Sequence, residues 1–351
     1  MNVKPLNNLI NYITKNYKEI KYNKLIIDFN NKNKELLCNK LNFKDLDNKT
    51  SYIGKEFVKL KKHIIIKFNC KLNVILNLYC YNNLTERFIN NIVQRIYNMI
   101  ELFYKDNNKK LIIHMILYNC CRLIPLTYTN SPNEMNEIIY KNNLFNCVNG
   151  WFRNIDNNNM EILITRLKTC EGLLIHELCH LCQLDFGGYD TFNKWNEYKK
   201  QYNIINHSEF TEGINNAMSS IIHAIFCCIE DNNKNIKLYL DCEYYYCKDL
   251  VGNLLHYFKC KNINELKNVY CQNSMMFEYI ILRYVYLKYI NELYHLDNKF
   301  NDIKISEKEY FNKFIKKLEN IENENIEFNE NMIIKKNNKK TNYLRMEYYL
   351  L

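Results

Sequence analysis

The residues of this chain whose types and spacing best suit chemistry are His176-Glu177-Leu178-Cys179-His180. Two histidines four apart on a helix lie one above the other, so both imidazoles can reach a single metal ion. A glutamate directly after the first histidine borders the same cavity. There it can take a proton from water activated by a divalent metal such as zinc. The chemistry implied is hydrolysis of an acyl bond by metal-activated water.

The element that must carry this pattern is a helix from Cys170 to Leu184. Thr169 suits its N-cap, Glu171 falls in the first turn, and Gly187-Gly188 offers a stop beyond its end. Leu173, Leu174, Ile175, Leu178, Cys179, Leu181, Cys182 and Leu184 make the helix apolar almost all round. After the first turn its polar side chains are His176, Glu177, His180 and Gln183, within an arc of about 120° at helical spacing. A helix this apolar should be buried, and a polar stripe on it needs a partner. A lone histidine there would bond to a carbonyl. Two histidines and a carboxylate on one stripe suit a divalent cation.

A catalytic zinc takes three protein ligands and keeps its fourth position for water. The metzincin solution is excluded, because the places for its glycine and third histidine hold Gln183 and Phe186. The gluzincin solution takes a glutamate from a later helix. Ser208 can cap a helix from Glu209 to Cys228, with Ile214, Ala217, Met218, Ile221, Ile222 and Ile225 at helical spacing. Glu212 is expected about one turn in and is taken as the third ligand. Asn216, one turn on and on the same face, is taken as the partner that orients a ligand by hydrogen bonding. Glu209, Asp185, Asp190 and His207 stand as rival ligands. For an oxyanion-stabilising residue the sequence offers Tyr189, His207 and Tyr244-Tyr245-Tyr246 without ranking them.

The surrounding segment has unusual backbone demands. Of 7 glycines and 2 tryptophans in the chain, Gly150, Gly172, Gly187, Gly188, Gly213, Trp151 and Trp195 all fall between residues 150 and 213. Glycine serves turns and close approaches. Met160 to Thr165 reads as a strand, either an edge that binds extended substrate by strand addition or a plain structural strand.

The run Val148-Asn149-Gly150, the strand with Arg166, Leu174-Ile175-His176-Glu177 and Leu184-Asp185-Phe186 resemble the His-Glu-x-x-His zinc metallopeptidases of large nucleocytoplasmic DNA viruses, a gluzincin-like group. The likeness spans residues 148 to about 225. It implies His176 and His180 as metal ligands, Glu177 as the catalytic residue and Glu212 as third ligand. It also implies a zincin-like fold and a location in the infected host cell's cytoplasm or the virion.

Composition sets the remaining bounds. The chain has 351 residues, 47% of them hydrophobic, which is enough for a substantial core and too apolar for wholesale disorder. No run of eighteen uncharged apolar residues predicts a membrane span, and the N-terminus lacks the apolar stretch of a secretory signal. Fifteen cysteines without such a signal point to free thiols in a reducing compartment, and Cys179-x-x-Cys182 reads as buried packing. The net charge of +10 is moderate, and the lysine clusters at 59–62 and 335–340 read as solvated runs. The expected partner is a protein or peptide substrate, with neither membrane nor nucleic acid.

The expected fold class is α+β: a zincin-like catalytic domain, with a small sheet and an active-site helix, and a mostly helical C-terminal half. Strands at His63–Phe68, Asn73–Tyr81 and Leu111–Leu117 flank a long helix opened by Thr85. Further helices are expected from Ile263 to Leu293 and from Glu307 to Leu318, with loops at 229–237 and 320–342. Residues 1–147 then form the N-terminal α/β part, 148–260 the zinc-binding core, 261–319 a helical extension and 320–351 a charged tail. The function expected is a zinc-dependent metallopeptidase. The alternatives are an inactive virion or host-interaction protein with structural zinc, and a DNA-associated metalloprotease.

Overall fold

A computed structural model describes residues 4–41, 52–118, 123–124, 150–165, 167, 170–185, 192–202, 204, 210–269, 277–296, 300, 305–326 and 349–350. The protein is mixed α+β, and its described residues group into two compact units. Among the described residues, no helix is long and apolar enough to cross a membrane.

The sheet unit is built on six strands. They are β1 (Asn23–Asp28), β2 (Lys62–Asn69), β3 (Leu72–Cys80), β4 (Lys109–Ile116), β6 (Gly150–Asn154) and β7 (Asn159–Thr165). A separate two-stranded pair joins β5 (Leu123–Ile124) to β8 (Tyr349–Leu350). The large sheet runs β1-β2-β3-β4-β7-β6, with β3, β4 and β7 parallel and the outer pairings antiparallel. The expected strand from Met160 is therefore β7, paired on both sides, and the edge position belongs to β6. Which strands pair is decided by contacts distant in sequence, so the pattern of β7 alone cannot place it at an edge.

Helices α1 (Asn7–Asn16), α2 (Asn31–Leu41), α3 (Tyr52–Val58) and α4 (Glu86–Phe103) precede the segment that carries His176 and His180. Thr85 caps α4 by accepting the Phe88 N–H at 3.2 Å, which stabilises such a helix by about 1 kcal/mol. Ile89, Ile92, Val93, Ile96, Met99, Ile100 and Phe103 of α4 are all buried. The other sheet face meets α2 and α3 through Phe29, Leu37, Leu41, Phe57, Tyr79 and Leu163.

A polar chain crosses the sheet among these apolar groups. Arg153 on β6 donates to Glu161 Oε2 at 2.6 and 3.0 Å. His114 Nε2 lies 3.3 Å from Glu161 Oε1, and the Tyr79 hydroxyl is 3.1 Å from His114 Nδ1. Burial pushes the Glu161 carboxyl upward, but hydrogen bonds and charge from His114 and Arg153 outweigh it and hold it below its usual range.

The helix predicted from Cys170 is α5 (Cys170–Leu181), shorter than expected. Gln183 ends it by taking a left-handed backbone conformation, φ 54°, before the expected glycine pair is reached. Thr169, Gly187 and Gly188 lie outside the described residues.

The second unit is helical. It contains α1, α6 (Phe192–Lys200), α7 (Phe210–Glu230), α8 (Ile236–Tyr257), α9 (Leu266–Val269), a π-turn (Glu278–Leu282), α10 (Arg283–Lys288), α11 (Ile290–Leu293) and α12 (Glu307–Glu322). Ser306 caps α12, which continues to Glu322 and so passes the expected loop start at 320. Leu318 and Ile321 explain the extension, since both remain buried on the helix's apolar face. Trp195 of α6 packs with Phe210 and Phe277, whose ring centroids lie 5.8 and 6.3 Å away. Phe311 and Phe314 of α12 also meet Phe210, each at 4.9 Å. These rings fix the first turn of α7.

Candidate metal centre

Helix α5 is buried by its sequence, and a buried ion pair sets its start. Arg95 of α4 donates to Glu171 Oε2 at 2.7 Å, the carboxylate lying in the first turn where the helix dipole also favours it. One and a half turns on, His176 and Glu177 are buried, and His180 on the next turn keeps partial exposure. The two imidazoles face each other, with Nε2 atoms 3.2 Å apart and rings inclined at 81°.

That separation suits shared coordination. Two nitrogens, each about 2.0–2.1 Å from a tetrahedral zinc, stand about 3.3 Å apart. The pair therefore needs little adjustment to hold one ion.

Glu177 is buried and lies against the sheet at Gly150. Gly150, the first residue of β6, lies so near that a Cβ there would stand 2.8 Å from Glu177 Oε1 and 3.1 Å from both the Leu163 carbonyl and Leu173 Cγ. No described glycine has a positive φ, so the need at Gly150 is for space and not for an unusual backbone angle. Next along β6, the Arg153 guanidinium lies over the Trp151 ring, 4.4 Å from its centroid.

Glu212 lies in the first turn of α7, whose described residues begin at Phe210, while the expected first residue, Glu209, lies outside the described residues. A carboxylate there is favoured by the helix dipole as an anion. Tyr279 donates its hydroxyl to Glu212 Oε2 at 3.2 Å. Asn216 does follow on the same face, and its Nδ2 donates to the Tyr279 carbonyl at 3.2 Å. Its connection to Glu212 thus runs through Tyr279.

Among the described residues, His176, His180 and Glu212 form a group that could hold a metal ion. Each offers one ligand atom, and the three atoms lie within 4.8 Å of one another. Asp185 is described and is not part of that group, whereas Glu209, Asp190, His207, Ser208 and Tyr189 lie outside the described residues. Tyr244 stacks on Tyr284 at 5.8 Å and meets the half-exposed Tyr245 at 5.4 Å. Cys182 is buried, donates its thiol to the Met99 carbonyl at 3.7 Å, and has its pKa raised by burial. Its role is packing on the side facing α4.

Tyr279 is the residue that sequence reasoning missed. It is one of 29 tyrosines and lies 67 positions from Glu212, beyond any local pattern. Gly213 was the available signal, since a glycine beside a candidate ligand marks another backbone close by.

No family model matches the chain, and no curated protein or solved structure matches it.

Proposed function

We propose that this chain is a zinc-dependent metallopeptidase of the gluzincin type, with a zincin-like catalytic domain. The observation that carries the reading is the convergence of two imidazole nitrogens and one carboxylate, with Glu177 next to the first histidine in sequence. Three protein ligands of this kind leave a fourth position open, as catalytic zinc requires. His180 and Glu212 keep partial exposure, consistent with a site that admits water.

His176, His180 and Glu212 would hold the ion. Zinc, when bound, supplies Lewis acidity that polarises a carbonyl and lowers the pKa of water. Glu177 accepts the proton of the attacking water and passes it to the leaving amine nitrogen. Gly150 of β6 leaves room beside this carboxylate, since a Cβ there would stand 2.8 Å from Glu177 Oε1. Among the described residues β6 ends the six-stranded sheet, and an edge strand is the element to which an extended peptide adds by backbone pairing. A peptide or protein is accordingly the substrate class, and the host-cell cytoplasm or virion belongs to the same proposal.

The test is a broad peptide-cleavage screen with purified protein, run before and after chelation and after zinc is restored. Cleavage lost on chelation and recovered with zinc supports the reading. Bound zinc without cleavage of any peptide or protein would instead favour a structural metal in an inactive scaffold.

A further inference from the structure

A glutamate ligand has several rotatable bonds, and fixing it costs side-chain entropy unless another group holds it beforehand. The helical unit contains such a group. The Tyr279 hydroxyl donates to Glu212 Oε2 and leaves Oε1 to other partners.

Three features fix where that hydroxyl points. First, Tyr279 is the second residue of the π-turn Glu278–Leu282, a widened turn of a kind frequent at functional sites. The Arg283 N–H would bond the Tyr279 carbonyl in an α-helix, but here it is shared between the Glu278 and Ile280 carbonyls. Asn216 Nδ2 donates to that Tyr279 carbonyl from α7. Second, Gly213 allows the π-turn to lie directly on α7. A Cβ at this position would stand 2.5 Å from Leu282 Cβ and 3.0 Å from the Glu278 carbonyl, so any side chain would push the turn away. Third, Arg283, the residue after the turn, forms a buried ion pair with Glu243 of α8. The turn is thus held at its backbone, at its contact with α7 and at its end.

We infer that Tyr279 is a positioning residue of the metal centre, holding the Glu212 carboxylate in the orientation that coordinates the ion. This role rests on the zinc reading above. Groups that orient metal ligands typically change metal affinity by 10- to 100-fold when removed. A tyrosine serving packing alone would change stability and leave metal affinity untouched. Its hydroxyl separates the two roles.

The experiment compares wild type with Tyr279→Phe, which keeps the ring and removes the hydroxyl, and with Asn216→Leu, which removes the bond to the Tyr279 carbonyl. Zinc affinity is measured by competition with a chromophoric chelator, and the cobalt(II)-loaded proteins are compared by visible spectroscopy. Thermal unfolding of each metal-free protein serves as the folding control. Tyr279→Phe should bind zinc roughly tenfold more weakly and shift the cobalt spectrum, while the metal-free protein still unfolds in one cooperative transition. Asn216→Leu should move affinity in the same direction. Wild type that takes up zinc while Tyr279→Phe keeps equal affinity and an identical cobalt spectrum overturns this role alone. Wild type that takes up no zinc overturns the metal centre itself, and this role with it.

Discussion

Gly150 and Glu177 are pressed together: a methyl group on the first would lie 2.8 Å from a carboxylate oxygen of the second. The strand and the helix thereby share one constraint. The Glu177 end is a side chain that can move, whereas the Leu163 carbonyl, 3.1 Å from the same point, belongs to the sheet backbone. Gly150→Ala should therefore destabilise the fold by about 1–3 kcal/mol through overpacking, read by denaturant unfolding. It should lower peptide hydrolysis further than the stability loss explains, because the carboxylate must turn aside. Unchanged stability and turnover would show that the strand gives way freely.

Glu177→Gln separates binding from catalysis. The amide fills the same space but cannot accept a proton, so zinc content and unfolding should match wild type. Turnover on a confirmed substrate should fall by at least about a hundredfold. Near-normal turnover would show that another group is the base.

The Glu161 carboxyl, held below its usual range despite burial, links stability to pH. Its folded pKa is lower than its unfolded value of about 4.3, so its contribution is complete above that value. The contribution is lost as pH falls through the folded pKa. Glu161→Gln should cost about 2 kcal/mol at neutral pH, since hydrogen bonds to a charged group are removed and His114 stays buried. The variant should also lose less stability than wild type on acidification. Parallel acid unfolding curves for the two proteins would contradict this linkage.

Much of the site's framework was legible in the sequence because local rules decide it. Thr85 capping α4, the β2-β3 hairpin and the apolar helix around His176 all follow from periodicity and capping. Where α5 ends was not legible, because Gln183 adopts the left-handed conformation without the usual glycine. The interior place of β7 depends on β4 and β6, which are distant in sequence. Tyr279 was hidden for a related reason. A π-turn has no residue signature, and helix packing that brings a tyrosine to Glu212 is a tertiary fact.

Arg95 and Glu171 provide a test of how the site helix is anchored. Arg95→Met would leave Glu171 without its buried cation, and breaking such a pair typically costs about 3–5 kcal/mol. Glu171 keeps some exposure and the helix dipole, so a loss of about 3 kcal/mol is expected in denaturant unfolding. Replacing both residues with apolar ones of similar volume should recover much of that loss. A double variant as unstable as Arg95→Met would indicate that the pair has a role beyond mutual compensation.

The measurement that bears most directly on the central claim is metal content. Protein purified without chelator should contain close to one zinc per chain by elemental analysis. His176→Ala and His180→Ala should lose most of it while remaining folded, and Glu212→Ala should weaken zinc by at least roughly tenfold. Wild type free of zinc even after equilibration with the metal, or histidine variants indistinguishable from it in zinc content, would contradict the account.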